Sequence, residues 1–442
     1  MTYHNAVKYI TTAPTKTGVT ESLERTALIS ARLGTPQKRL RYIRFAGSNG
    51  KTVCQTMLSS VLHESGLCVG SLLMPARSEP RQNIFIGKEP IPMDSIVKYV
   101  TLISNTVNEL RTELASLLES NADTSNSIFP ASILSGKTSI TPTKNELIFL
   151  VALLAFKDAG CDICLIECDH NGVDPTKILT PPHTTVICGT IPEENTKETL
   201  RIRSYIVNGI SEVISAPQDS ETYKIISSAC AKVNCRLSVP TRSMLEVTRL
   251  SLGGSEFIYR NEKYKLGLCG RFQIHNATTV IEVIRSLNRS GMKIPYEAVC
   301  TGLASLSINS KFEAISILPT IIVDSTHKTE AVGTMCATIS DFKEQLGKDI
   351  RLCICPDAPL ISEYISTLTS LGFNVCELIV PIIDKAALPE IEAACPVTVM
   401  PSAKATAKKI VTTAREEGTV LVTAPDLLAD KLRTEILRIL DF

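Results

Sequence analysis

An apolar run that stops at a glycine, a lysine and a threonine constrains this chain more than any other feature. The stretch "YIRFAGSNGKTVCQTMLSSVLHESG" runs from Tyr42 to Gly66. Tyr42 to Ala46 has the length and composition of a short buried strand. Val53 to Ser65 then carries apolar residues at Val53, Met57, Leu58, Val61 and Leu62, the period of a helix, and Gly66 supplies its C-terminal stop. A strand that enters a helix through a glycine-rich turn aims several backbone N–H groups at one point, where the helix dipole adds partial positive charge. Gly47 and Gly50 let that backbone approach a ligand without a Cβ in the way. The expectation is a phosphate loop over Gly47, Ser48, Asn49 and Gly50, with Lys51 neutralising the β- and γ-phosphates of a nucleotide and the Thr52 hydroxyl placed to ligand Mg²⁺. The usual long form has a glycine five residues before Gly50, where this chain has Phe45, so the loop is a short form, G-S-N-G-K-T.

Charge and cysteine usage narrow the setting. Lys plus Arg total 46 against 45 Asp plus Glu in 442 residues, so no net field favours a polyanion, and nucleic acid is not an expected partner. The 15 cysteines are scattered and odd in number, which fits reduced thiols in a chain this large. Cys161 and Cys164 form a C-x-x-C within "GCDICLIE", a strand-like run, and without a second pair at zinc spacing they are expected to be structural thiols. The opening residues MTYHNAVKYI lack a signal-peptide pattern. Leu147 to Phe156, the longest apolar run, has ten residues and suits a core helix rather than a membrane span. A cytoplasmic monomer is expected.

Strand-length apolar runs alternate with helical segments, so the fold class is α/β: a P-loop ATPase-like domain with a mostly parallel sheet, then a smaller Rossmann-like α/β domain. Asn145 to Phe156 is expected as a helix, Ile163 to Glu167 and Thr184 to Cys188 as strands, and Asn276 to Asn288 as a helix capped by Asn276. Glu119 to Pro142, rich in Ser, Thr and Asn, has the composition of a surface insertion. From about Ser310 a second set begins: "TIIVDSTH", "IRLCICPD", "FNVCELIVP" and "TVLVTAPD" are strands, with helices over Glu330 to Leu346 and Ser402 to Glu417 between them. The boundary is placed at 307/308, giving domains 1–307 and 308–442.

Several segments, in one order, carry a resemblance. "SLERTALISARLGTPQKRLRYIRFAGSNGKT" is similar to an L-E-R…L-G-x-P-Q segment entering an ATP loop. "PTKNELIFLVALLAF", "LIECDHNGVDPTKI", "GRFQIHNATTVIEVI", "SKFEAI" and "PTIIVDSTHKTEAV" follow as its counterparts further on. Together they resemble the folylpolyglutamate synthases and dihydrofolate synthases of the Mur ligase superfamily over most of the chain.

That resemblance implies an ATP-driven amide ligase, in which a folate or pteroate carboxylate takes the γ-phosphoryl group and the amine of glutamate displaces phosphate. By resemblance Lys51, Glu167 and His327 are catalytic, and Thr52 and Glu167 hold Mg²⁺. Gln273, Asn276, Lys311 and Asp324 join Gly47–Thr52 in binding ATP, which would lie between the phosphate loop and the Asp324–His327 loop. Glu167 as a solvated strand-end carboxylate is the competing view. Lys311 stands where the family has an arginine, keeping the charge but losing the planar fork.

Three departures touch the metal centre. Pro75, Ala76 and Arg77 stand where serine, proline and histidine are expected. "CGTIPEEN" replaces an Asp-His pair, and Val207 falls near the position of a carbamylated lysine. Two alternatives stay open: an ATP-binding relative without turnover, and a Mur-type ligase acting on another carboxylate.

Overall fold

The computed structural model describes residues 1–15, 18–77, 79–120, 127–168, 174–179, 182–189, 203–326, 329–355, 357–381 and 395–440. The chain divides into two compact units, Met1–Pro240 with Asn276–Gly302, and Thr241–His275 with Leu303–Phe442. One cut thus lies a few residues before 307/308, while 241–275, read as part of the first domain, packs with the second unit. The cause is apolar packing: Leu252 and Cys269 share a buried cluster with Phe312, Val332 and Phe342.

The first unit is built on eight strands, in the spatial order Glu89–Pro90, Ile84–Ile86, Val69–Leu72, Ile163–Glu167, Tyr42–Ala46, Thr184–Ile187, Glu212–Ser215 and Arg236–Ser238. Tyr42–Ala46 runs parallel to both its neighbours. Every residue of these three central strands is buried, the polar Arg44, Glu167, Thr184 and Thr185 included, as expected of strands covered on both faces. The register sets Phe45 opposite Glu167. The loop leaving Ala46 and the end of the Glu167 strand therefore emerge side by side at the carboxyl edge of the sheet, where open α/β sheets place ligands.

The helix Lys144–Asp158 is buried continuously from Glu146 to Phe156, as the expected core helix. Thr143 and Glu146 cap its start reciprocally. Glu146 also receives Arg25 Nε and Nη2, each at 2.8 Å, and Arg25 is only 3% exposed. The sheet face under this helix needs Gly70, because a Cβ there would sit 2.6 Å from the Phe156 ring. The expected surface insertion over 119–142 is partly core. Phe129, Ile133 and Ile140 are buried within it, since three well-spaced apolar side chains anchor a segment whose other residues are polar.

Asn276 is not a cap. The helix runs Arg271–Arg289 and begins after Gly270, whose φ of 101° supplies the break, so Asn276 lies in its second turn.

The second unit has a six-stranded sheet in the order Glu313–Ile317, Thr320–Asp324, Val420–Thr423, Asp349–Ile354, Asn374–Pro381 and Val397–Met400. All pairings are parallel except the first, an antiparallel hairpin. The four expected strands are present. The sequence reading missed the two edge strands and an antiparallel meander of Leu245–Ser251, Gly254–Tyr259 and Glu262–Leu266. Ser402 caps Ala403–Glu417, and the expected helix 330–346 breaks into Thr329–Asp341 and Lys343–Leu346. No helix among the described residues is long and apolar enough to cross a membrane.

Removing one partner of a buried ion pair strands the other charge. Glu146→Ala should therefore lower the unfolding free energy by roughly 3–5 kcal/mol, read from the urea midpoint beside a surface control such as Glu113→Ala.

Candidate active site

The loop after Ala46 is shaped by close backbone contacts. Gly47 has φ 116°, and a Cβ on it would stand 2.9 Å from the Cys188 carbonyl oxygen. Gly50 has φ 81°, and its Cβ would meet Asn276 Oδ1 at 2.8 Å. The N–H groups of Ser48 and Asn49 both donate to the Gly189 carbonyl at 3.0 Å. These two amides therefore fasten the loop to the end of the neighbouring strand. The helix Lys51–Glu64 follows, with an N-cap, Gly50, that offers no side-chain cap and a first turn that has no acidic residue. Such a start presents the positive end of the helix dipole to an anion.

Three side chains converge beside that helix start. Lys51 Nζ donates to the Gly47 carbonyl at 2.9 Å and lies 3.7 Å from Glu167 Oε1. The Thr52 hydroxyl lies 3.2 Å from each Glu167 carboxylate oxygen. The Met74 N–H reaches Glu167 Oε2 at 3.4 Å. Glu167 is 4% exposed, so it is not a solvated strand-end carboxylate. Burial pushes its pKa up, while the Lys51 charge, the Met74 N–H, the Thr52 hydroxyl and the Arg77 charge draw it back down. The net direction is upward.

The segment carrying Met74 and Arg77 is itself held down. Ala76 N–H donates to Asn145 Oδ1 at 3.0 Å and Arg77 N–H to Asn83 Oδ1 at 2.8 Å. Asn83 returns hydrogen bonds to the Leu73 and Pro75 carbonyls. Arg77 thus puts a cation near Glu167, where the sequence pattern led one to expect metal-binding groups. Among the described residues, no three His, Cys, Asp or Glu side chains are arranged to hold a metal ion. One carboxylate and one hydroxyl, from Glu167 and Thr52, do fit a single Mg²⁺ completed by phosphate and water oxygens.

In the second unit, Asp324 ends its strand 4% exposed. Its carboxylate accepts the N–H of Phe312 at 2.7 Å and of Thr326 at 2.6 Å. It braces the turn at Ser310 and Phe312, both at φ 54°. Burial raises the Asp324 pKa against the pull of Thr326 and Lys311. Lys311 donates to Ser325 Oγ at 2.6 Å and pairs with Asp426 at 3.0 Å. Gln273 is fully buried near the start of its helix. His327 lies outside the described residues.

The first unit therefore brings together Gly47–Thr52, Glu167 and Asn276, and the second brings Lys311 to Asp324. Sequence reasoning missed Cys188, Gly189, Met74, Ser325 and Asp426, all of which act through long-range contacts that no local pattern encodes.

No protein-family model matches the chain. It is 25% identical over 336 residues to the dihydrofolate synthetase of Saccharomyces cerevisiae, covering 70% of each protein. The chain is similar in sequence to folylpolyglutamate and dihydrofolate synthases. A bifunctional folylpolyglutamate synthase/dihydropteroate synthase of Halobacterium salinarum, so named as probable, is 23% identical over 340 residues. That match takes in 72% of this chain and 37% of the archaeal protein, so the chain spans well under half the length of this relative. Apo folylpolyglutamate synthase of L. casei superposes with a TM-score of 0.77 at 19% identity, covering 99% of this chain and all of that one. A folylpolyglutamate synthase complex with AMPPCP and folate superposes at 0.76. The two-unit folylpolyglutamate synthase fold is thereby established.

A Cβ at Gly47 would meet backbone, which cannot swing aside. Gly47→Ala should cost about 1–3 kcal/mol in stability, measured by chemical denaturation, whereas Gly66→Ala, with open space around its Cβ, should cost less. Because the native carboxyl of Glu167 holds its proton to higher pH than the unfolded one, its contribution to apo stability is fullest below the ordinary carboxylate range. It declines as pH rises through the raised value. The parent should accordingly lose stability relative to Glu167→Gln as pH is raised from acid to neutral, and a constant difference between the two melting curves would contradict this.

Proposed function

We propose that this chain is an ATP-dependent amide ligase of the folylpolyglutamate synthase type, joining glutamate to the carboxylate of a folate or pteroate. The observation that carries the proposal is the convergence of Lys51, Thr52 and the buried Glu167 on an uncapped helix start, after a loop with no room for a Cβ at Gly47 or Gly50. The names of the sequence relatives, and a structural neighbour bound to AMPPCP and folate, support the same reading.

In this reading an acceptor carboxylate oxygen attacks the γ-phosphorus of ATP as the bond to the bridging oxygen breaks and ADP leaves. The amine of glutamate then attacks the acyl carbon, the C–O bond to phosphate breaks, and the amine gives up a proton. Lys51 exchanges its Gly47 and Glu167 contacts for the phosphoryl oxygens on which charge develops. Gly47–Gly50 keep the phosphates close to the backbone, and Asn276 bears on the loop through Gly50. Thr52 and Glu167 would hold Mg²⁺, which supplies charge neutralisation on the β- and γ-oxygens when bound. Gln273 and Lys311 are assigned to the nucleotide, and His327 keeps the catalytic role its resemblance implies. Asp324 is a positioning residue, since its oxygens are taken by backbone N–H groups that order the Lys311 turn. Free cysteines throughout the chain fit a cytoplasmic setting, and a monomer suffices for the chemistry.

A second reading, nucleotide binding without turnover, draws on the Arg77 charge beside Glu167 and the absence of a three-ligand cluster among the described residues.

ADP release with glutamate, comparing dihydropteroate, reduced folates and no acceptor, separates the two. Acceptor-dependent ADP is expected, falling roughly a hundredfold or more in Lys51→Ala, about 3 kcal/mol of transition-state stabilisation. ATP binding by calorimetry with no ADP above that variant would select the second reading.

A further inference from the structure

The C-x-x-C at Cys161 and Cys164 has a third member far off in sequence. Cys68 donates its S–H to Cys161 Sγ at 3.8 Å, and the Cys164 thiol donates to the same sulfur. The two segments are laced together. Cys68 N–H donates to Asp162 Oδ2 at 2.8 Å, and Asp162 N–H donates to the Cys68 carbonyl at 2.9 Å. The following residues pair as neighbouring parallel strands, Val69 opposite Ile163. Sheet pairing, rather than a mobile loop, therefore holds these sulfurs near each other. Cys68 is partly exposed, Cys161 is 8% exposed and Cys164 1%. The cluster lies at the amino ends of its strands, whereas Glu167 lies at the carboxyl end.

We propose that Cys68 and Cys161 form a reversible thiol–disulfide site, a cross-link between the amino ends of two adjacent parallel strands made by a small peroxide. The chemistry divides naturally between the two sulfurs. Hydrogen bonds from Cys164 and Cys68 lower the Cys161 pKa despite its burial, making it the better thiolate. Burial and the neighbouring Cys161 push Cys68 up to about 11, which keeps it a thiol until a partner is ready. The Cys161 thiolate attacks one peroxide oxygen, the O–O bond breaks, and the departing hydroxide takes a proton to become water, leaving a sulfenic acid. Cys68 loses its proton and attacks that sulfur, and hydroxide leaves as a second water. Two thiols are oxidised by two electrons and one hydrogen peroxide is reduced to two waters. A small oxidant is required because Cys161 is so little exposed. A dithiol reductant reverses the bond by exchange.

The test treats the folded full chain with stoichiometric hydrogen peroxide, blocks free thiols by alkylation, digests without reductant and maps the peptides by mass spectrometry. A peptide linking Cys68 to Cys161 is expected in the parent and in Cys164→Ser, and it should vanish with dithiothreitol. In Cys68→Ser the link is lost and Cys161 should instead be trapped by dimedone. Full alkylation of Cys68 and Cys161 after peroxide, or a link only between Cys161 and Cys164 that survives in Cys68→Ser, would overturn the proposal. The parent map decides the question even where a variant folds poorly.

Discussion

The candidate site depends on keeping one carboxylate out of water. Glu167 is nearly inaccessible at the end of a central strand, and an isolated charge there would cost several kcal/mol. What offsets the cost comes from two separate stretches: the Lys51 ammonium and Thr52 hydroxyl at a helix start, and the segment that brings the Met74 amide and the charge of Arg77. The compensation is incomplete, since burial still prevails in the direction of its pKa. A carboxylate left under-compensated in this way gains from a cation placed against it.

The second unit uses the same position for a different end. Asp324 also closes a strand and is also buried, yet its oxygens receive backbone amides. A carboxylate committed to backbone orders a turn, and the turn at Ser310–Phe312 presents Lys311, itself engaged with Ser325 and Asp426. Two strand-end carboxylates of similar burial thus divide into one placed to meet a cation and one that shapes a loop.

Arg77 and the Cys68–Cys161–Cys164 cluster mark where this chain departs from the pattern it resembles or adds to it. The segment bearing Arg77 is fastened by Asn83 and Asn145, so its backbone is fixed beside Glu167. The thiols lie at the opposite end of the Glu167 strand and of its neighbour Val69–Leu72. The thiol cluster and the carboxyl edge that bears Glu167 are separated by the length of the strands.

Much was legible before any coordinates. Apolar-rich runs of strand length pointed to buried parallel strands, because a strand covered on both faces shows little polar alternation. G-S-N-G-K-T specified a strand–turn–helix, because the backbone geometry at Gly47 and Gly50 excludes Cβ atoms. The apolar run within Asn145 to Phe156 marked the core helix, although the reciprocal cap between Thr143 and Glu146 at its start was not read. Other features were out of reach. The meander over 245–266 joins the second unit because Leu252 and Cys269 meet side chains dozens of residues away. Asn276 looked like a cap because its type favours caps, but Gly270 had already started the helix. The strand order, the Gly189 carbonyl that fastens the loop over Ser48 and Asn49, and the approach of Cys68 to Cys161 all belong to tertiary structure. Periodicity and local chemistry act over a few residues, whereas these contacts are settled by which strands lie side by side.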